Sequence, residues 1–453
     1  MDKNFTRRNF IKASSVAGIG LAVTPSFALG NPFKPEKVKI GLIGVGLRGQ
    51  NHLYNLLQRN DVEVTAICDV DDGMLAKSLE LFKKAGAPMP QVYTGDDYAY
   101  LDLLERKDIA GVVISTPWLW HPKMAIDTMK AGKYAGLEVS AANTIEDCWD
   151  MVNTSEETGS PLMILENVCY RRDIMAIHNM VKQDMFGELI HCHCGYQHDL
   201  RRVLFNNGEQ PYGGGVEFGP KAYSEAKWRT EHYLKRDGDV YPTHGVGPIA
   251  NFLDINRGNR FVSLTSTSTK ARGLHDYIVK EGGEGHPNAK LKWKMGDVIT
   301  STISTANGES IIVIHDTSLP RPYSLGFRVQ GTKGIWMKDG NQIYIENISP
   351  PHKWEDSTSY IEKYDHPLWK KFEEQATGSG HGGMDFFVLN AFVESVKRQI
   401  QPPLDVYDAA AWSVITGLSE QSIYNGGEPQ DFPDFTRGRW IKRKPVFGLG
   451  DAY

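Results

Sequence analysis

The segment Gly44-Val45-Gly46-Leu47-Arg48-Gly49 constrains this chain more than any other. It lies between an apolar run, VKIGLI (38–43), and NHLYNLLQR (51–59), whose apolar residues recur at helical spacing. Strand, glycine turn and helix in that order make the first half of a βαβ unit. The first glycine permits a tight turn, the second lets a pyrophosphate approach the backbone, and the third lets the helix pack on the strand. Free N–H groups at the start of such a helix face the phosphates. Asp69 ends a second apolar run, VEVTAICD (62–69). A carboxylate there accepts hydrogen bonds from ribose hydroxyls and repels a 2'-phosphate, which favours NAD over NADP. The predicted cofactor is therefore NAD, with Gly44, Gly46, Gly49 and Asp69 in its site.

The alternation continues with a helix around 73–85, the strand GVVIST (111–116), a helix from Pro122 to Lys130 closed by Gly132, and the strand KYAGLE (133–138). A helix from Thr144 to Thr158, closed by Gly159, and a strand from Leu162 to Glu166 complete the series. This predicts the α/β class, with a doubly wound parallel sheet of Rossmann type over 36–165. Beyond about residue 190 the pattern changes to β-rich, period-two runs: IHCHCGY, RFVSLTSTST, ITSTISTA, ESIIVIHD and GIWMKDGNQIYIE. They predict an α+β domain over 166–380 with a large, mostly antiparallel open sheet. Residues 350–383 have no clear period and read as a long surface excursion. Helical spacing returns in DFFVLNAFVESVKR and VYDAAAWSVITGLSEQSIYNG, so residues 381–453 are expected to be helices and a tail packing across both domains.

The chain has 50 Lys plus Arg against 55 Asp plus Glu and no basic block, which excludes the electrostatic footprint of a nucleic-acid binder. Thr6-Arg7-Arg8-Asn9-Phe10-Ile11-Lys12 precedes the uncharged stretch SSVAGIGLAVTPSFA, the pattern of a twin-arginine signal peptide over residues 1–30. The expected destination is the periplasm. The apolar stretch is too short and glycine-rich for a permanent membrane span. Five cysteines, at 68, 148, 169, 192 and 194, show no framework spacing, and no structural disulfide is expected. His191-Cys192-His193-Cys194 suggests a metal site, yet on a strand the two His face one side and the two Cys the other, so no metal is predicted. Arg171-Arg172 reads as a helix-start or surface pair and His381-Gly382-Gly383 as a flexible turn.

Ser115-Thr116-Pro117 with His121, and Gly136-Leu137-Glu138 after the next strand, resemble the glucose-fructose oxidoreductase/inositol dehydrogenase/MocA superfamily. In that superfamily a Lys-Pro pair follows, and its lysine helps move the hydroxyl proton. Here Val139-Ser140 stands in that place, and a valine cannot shuttle a proton. The segments LENVCYRRD (165–173), GYQHDLR (195–201), KWRTEHY (227–233), YPTHGVGP (241–248) and RPYS (321–324) resemble the NAD-dependent glycosidases of glycoside hydrolase family 109, over nearly the whole chain. The founding activity of that family is α-N-acetylgalactosaminidase. The resemblance implies hydrolysis of terminal α-linked N-acetylgalactosamine by oxidation at C3, elimination across C1 and C2, addition of water and reduction, with net retention.

Carried over residue by residue, the resemblance places the cofactor against Leu47, Arg48, Asp69, Trp118, Leu119, Trp120, His121, Glu138, Val139 and Asn167. It places a sugar with a terminal N-acetylhexosamine against Glu166, Tyr196, Arg229, Tyr241, His244 and Tyr323. Tyr196 is assigned the C2 proton, with Arg201 or Arg229 stabilising its anion, and His244, which sits in the turn-like setting Tyr-Pro-Thr-His-Gly, the acid–base work at the C3 hydroxyl. Two rival readings stay open at this level: a periplasmic NAD-dependent sugar dehydrogenase with net redox turnover, and a sugar-binding module. By analogy with open sheets that pair at their edges between subunits, the chain is compatible with a homodimer.

Overall fold

A computed structural model describes residues 37–453; the signal peptide expected at 1–30 lies outside the described residues. Strands β1 (Val38–Ile43), β2 (Val62–Cys68), β3 (Gln91–Tyr93), β4 (Gly111–Ile114), β5 (Tyr134–Leu137) and β6 (Leu162–Ile164) form one sheet. Its order is β3-β2-β1-β4-β5-β6 and every pair is parallel. β4 and β6 are buried along their whole length, as a sheet covered on both faces requires. The winding direction reverses between β1 and β4, and in such sheets the crevice for a ligand opens at the carboxyl ends of those two strands.

Local sequence sets the flanking helices. Asp71 caps the helix Asp72–Ala85 by accepting from the N–H groups of Gly73 and Met74, and Gly86 ends it at φ 63°. Thr144 caps Ile145–Thr158, and Gly159 ends it at φ 69°. Each such cap contributes about 1 kcal/mol. The helix Leu47–Leu57 differs, because its N-cap is Gly46 and no side chain bonds to its first N–H groups.

Strands β7 (Leu189–Gln197), β8 (Phe261–Ser268), β9 (Val298–Thr305), β10 (Ser310–Asp316), β11 (Arg328–Gly331), β12 (Gly334–Met337), β13 (Gln342–Ile345), β14 (Glu355–Asp356) and β15 (Gln430–Asp431) form the second sheet. The order is β14-β13-β12-β11-β7-β10-β9-β8-β15. All pairs are antiparallel except β7 with β10, which run parallel. The edge strands have two residues each, which leaves little ladder for the edge pairing considered above. Cys192 and Cys194 are buried on the inner face, whereas His191 and His193 stand partly exposed on the other. All five cysteine thiols are buried and free.

Two local expectations are corrected. Residues 350–383 are no structureless excursion: they carry helices at Thr358–Lys363 and Pro367–Ala376. Leu368 and Trp369 anchor the second of these in the core, and the Trp369 indole donates to the Tyr170 carbonyl at 2.8 Å. His244 lies not in a turn but in the first turn of the helix Thr243–Phe252, which contains Pro248. That proline costs only the bond to the His244 carbonyl, at an end where tertiary packing holds the helix. The late helix Met384–Arg398 lies on the first sheet, its Phe392 filling the space left by Gly111 and Gly136. A Cβ on Gly136 would stand 2.9 Å from that ring.

Candidate active site

A cleft of about 520 Å³ opens at the carboxyl ends of β1, β2 and β4 and extends to β7 and the helix Thr243–Phe252. Its nucleotide end is built by the glycine turn. Gly44, at φ 84°, lies so close to the chain after β4 that a Cβ would stand 2.7 Å from the Ser115 carbonyl. A Cβ on Gly49 would stand 2.1 Å from the Gly44 oxygen. Gly46 has open space at its Cβ position and lines the cleft at the uncapped helix start. Asp69, at the end of β2, accepts from the N–H groups of Val45 and Asp71 at 2.7 and 2.9 Å, which aligns its carboxylate along the cleft rim. Unfilled N–H groups, an open glycine and a rim carboxylate fit a dinucleotide.

The same geometry separates two substitutions. Gly49→Ala should destabilise the fold by about 3 kcal/mol or more, because backbone lies in the way of its methyl group. Gly46→Ala should keep the wild-type melting temperature but bind NAD at least about tenfold more weakly. Thermal melts and fluorescence titration with NADH check both; equal melting temperatures for the two variants would contradict the packing argument.

Beyond the turn, Arg48 bridges two carboxylates. Its Nε donates to Glu138 at 2.6 Å and its Nη1 to Asp385 at 2.9 Å. His52, fully buried, shares Glu138 at 2.6 Å, and Asn167 donates to the other oxygen of Asp385 at 2.8 Å. Burial alone would raise the Glu138 pKa, but the Arg48 charge and the His52 hydrogen bond outweigh it and hold the group well below the usual carboxylate range. Asp385 behaves likewise: burial opposes ionisation, and the His381 hydrogen bond and Arg48 charge overcome it. His121 is buried with its ring nitrogens 2.7 and 2.8 Å from the carbonyls of Ser140 and Thr116, which ties the segment after β4 to that after β5.

An aromatic wall lines the other end of the cleft. Tyr196 is the penultimate residue of β7, and its ring centroid lies 4.7 Å from that of Tyr241 and 5.5 Å from that of His244. The buried Arg229 guanidinium sits between the rings of Trp118 and Tyr241, at 4.9 and 5.0 Å, and donates to Glu225 at 2.6 Å. Burial pushes the Tyr196 phenol up, and the charge of Arg229 opposes that rise. Arg201 is not the cation beside Tyr196: it is paired with Asp199 and lies over Tyr277. Behind His244, fully buried Glu166 accepts from Nδ1, its two oxygens at 2.7 and 2.9 Å.

The cleft gathers Gly44, Gly46, Leu47, Arg48, Asp69, Trp118, Trp120, His121, Glu138, Val139, Asn167, Tyr196, Arg229, Tyr241 and His244 from the sequence-predicted set. Four of that set fall outside its lining. Gly49 is enclosed by the turn, Leu119 is 72% exposed and faces solvent, Glu166 lies behind His244, and Tyr323 stands at the rim, 49% exposed and 6.4 Å from Tyr196 between ring centroids. Sequence reasoning passed over His381, which lines the cleft with Nδ1 2.7 Å from Asp385. It also passed over Glu225 and Trp228. His381 takes φ 45°, and Gly380, Gly382 and Gly383 around it also take positive φ. A histidine held in that conformation is a mark of a constrained site.

Residues 38–165 match the family described as "Oxidoreductase family, NAD-binding Rossmann fold", and residues 170–442 match "Glycosyl hydrolase 109, C-terminal domain". A Tannerella forsythia protein named alpha-N-acetylgalactosaminidase is 52% identical, over 98% of this chain and 99% of its own length. A Shewanella oneidensis protein of the same name is 41% identical, over 99% of each. Among solved structures, a levoglucosan dehydrogenase complexed with NADH and L-sorbose superposes with a TM-score of 0.63 at 17% identity, over 88% of this chain and all of that one, a likeness of fold. An NAD-binding, Rossmann-type first half, joined to a second half that matches the glycosyl hydrolase 109 C-terminal domain over most of its length, places the chain in glycoside hydrolase family 109.

Proposed function

We propose that this enzyme removes terminal α-linked N-acetylgalactosamine by an NAD-dependent, redox-neutral route with net retention. The observation that carries the reading is one cleft in which a dinucleotide turn meets two carboxylate-paired histidines, His244 with Glu166 and His381 with Asp385. The names borne by relatives at 52% and 41% identity supply the sugar and its linkage.

Bound NAD+ supplies the reversible oxidation of the C3 hydroxyl. The chain's own residues then handle three protons. Glu166 accepts from His244 Nδ1, which leaves Nε2 as the base that takes the C3 hydroxyl proton and later returns it. A ketone at C3 acidifies the C2 proton, which Tyr196 removes, the Arg229 charge stabilising the phenolate that must form first. Expulsion of the group at C1 needs an acid, and His381, paired with Asp385, is the remaining cleft histidine whose side chain reaches solvent. Water then adds at C1, the proton returns to C2, and reduction at C3 closes the cycle.

A panel of nitrophenyl glycosides tests this reading. The α-N-acetylgalactosaminide should be cleaved fastest; preference for a sugar without the acetamido group would overturn the proposed substrate. We also propose that the chain is exported through its twin-arginine segment, on the strength of Arg7-Arg8 and the uncharged stretch after them. Cell fractionation should find the wild type in the periplasm and an Arg7→Lys, Arg8→Lys variant retained in the cytoplasm.

A further inference from the structure

Before Tyr196 can act as a base, its own hydroxyl proton must leave. Alternation along the end of β7 puts the side chain two positions on, His198, on the same side of the chain. Its Nδ1 lies 3.2 Å from the Tyr196 hydroxyl and, among the described residues, is that hydroxyl's hydrogen-bond partner. The two rings meet edge to face, with centroids 5.8 Å apart. Backbone contacts hold the segment in place. The His198 N–H donates to the Asp316 carbonyl at 2.9 Å, and Gln197 and Ser324 exchange hydrogen bonds at 3.0 and 2.8 Å. The second contact brings up Tyr323, whose ring centroid stands 5.0 Å from that of His198.

Water is a poor acceptor for that proton. Burial pushes the phenol's pKa up, and the Arg229 charge, which acts the other way, does not overcome it. Arg229 can stabilise the anion once formed, but a cation cannot take the proton. His198 can. Burial and the Arg229 charge hold its pKa below the ordinary histidine value, with His244 acting in the same sense and Asp199 against it. At neutral pH the imidazole is therefore neutral, with one ring nitrogen free to accept. The protonated phenol is the donor of the pair, so the lone pair belongs on Nδ1 and the ring proton on Nε2. His198 is partly exposed and stands outside the cleft lining, behind Tyr196.

We propose that His198 is the acceptor of the Tyr196 hydroxyl proton, acting on the C2–H bond through Tyr196. The inference rests on the reading of Tyr196 as the C2 base. The Tyr196 hydroxyl gives its proton to His198 Nδ1, which leaves a phenolate facing the Arg229 charge. The phenolate oxygen then takes the C2 proton, and the C2–H electron pair passes into the enolate of the C3 ketone. That pair forms the C1–C2 double bond as the C1–O pair departs with the leaving group. On the return the Tyr196 oxygen delivers a proton to C2 and recovers its own from Nδ1, so both residues end the cycle as they began it.

Variants that separate proton acceptance from hydrogen bonding test it in the full-length holoprotein. His198→Asn offers an amide oxygen in place of Nδ1 but cannot take a proton, and His198→Ala removes both capacities. Each should cleave nitrophenyl α-N-acetylgalactosaminide about a hundredfold more slowly, with KM within about threefold and with wild-type NAD content and melting temperature. Oxidation at C3 precedes the slowed step, so the absorbance of bound NADH should build up during turnover, and deuterium from heavy water should enter C2 correspondingly slowly. A His198→Asn enzyme as fast as wild type would overturn the proposal. So would a slow variant in which no bound NADH accumulates. Tyr196→Phe separates this inference from the reading beneath it. If that variant still exchanges the C2 hydrogen, Tyr196 is not the base and both fail; if it does not, while His198→Asn exchanges at the full rate, only the role of His198 fails.

Discussion

His244→Ala should release nitrophenol from the α-N-acetylgalactosaminide about a thousandfold more slowly than wild type, which is about 4 kcal/mol of transition-state stabilisation. The imidazole is the group proposed to take the C3 proton, and Glu166 behind it pairs with the ring without reaching the cleft lining. Purified His244→Ala should still carry its nucleotide, because the glycine turn, Asp69 and the Arg48–Glu138 pair do not touch His244. Its absorbance spectrum and mass-spectrometric NAD content check this directly. An active variant, or an inactive one that has lost NAD, would contradict the assigned role. Glu166→Gln should fall less, by about tenfold to a hundredfold, since an amide oxygen can still accept from Nδ1 but no longer stabilises the imidazolium.

The second large effect concerns His381. Replacement by alanine should slow cleavage of an alkyl α-N-acetylgalactosaminide about a hundredfold, yet slow the nitrophenyl substrate by less than about tenfold. An alkoxide leaves poorly unless it is protonated as the C1–O bond breaks, whereas nitrophenolate leaves as an anion. His381 pairs with buried Asp385, and the surrounding glycines carry its ring on an exposed turn at the cleft. An equal loss on both substrates would mean that His381 acts earlier than leaving-group departure. Kinetics of the variant with both glycosides decide between the two.

Much of this arrangement was legible in the sequence because it rests on local rules. The turn at Gly44 to Gly49 needs glycine for reasons of backbone clearance that spacing alone reveals, and Asp69 follows from the length of the second strand. Caps at Asp71 and Thr144, and stops at Gly86 and Gly159, likewise act over a few residues. The misreadings arose where distant segments meet. Trp369 makes residues 367–376 a helix by packing beneath Tyr170, a contact no local period encodes. Asp385 joins Arg48 and Asn167 across more than two hundred residues of chain and His381 across one helical turn, so the importance of a glycine-rich stretch that read as a turn could not be seen from its own composition. Arg201 and Arg229 were indistinguishable as partners for Tyr196 until the fold placed one on Asp199 and the other against the wall. The stretch Tyr-Pro-Thr-His-Gly suggested a turn at His244, yet burial of the following residues makes that segment a helix.

The most direct test of the redox-neutral glycosidase is to incubate the purified holoprotein with nitrophenyl α-N-acetylgalactosaminide and no added NAD, following nitrophenol and NADH absorbance together. Steady release of nitrophenol with no net NADH is the predicted result. No release, together with NADH that accumulates on free sugars once NAD is added, would contradict it and identify a dehydrogenase instead.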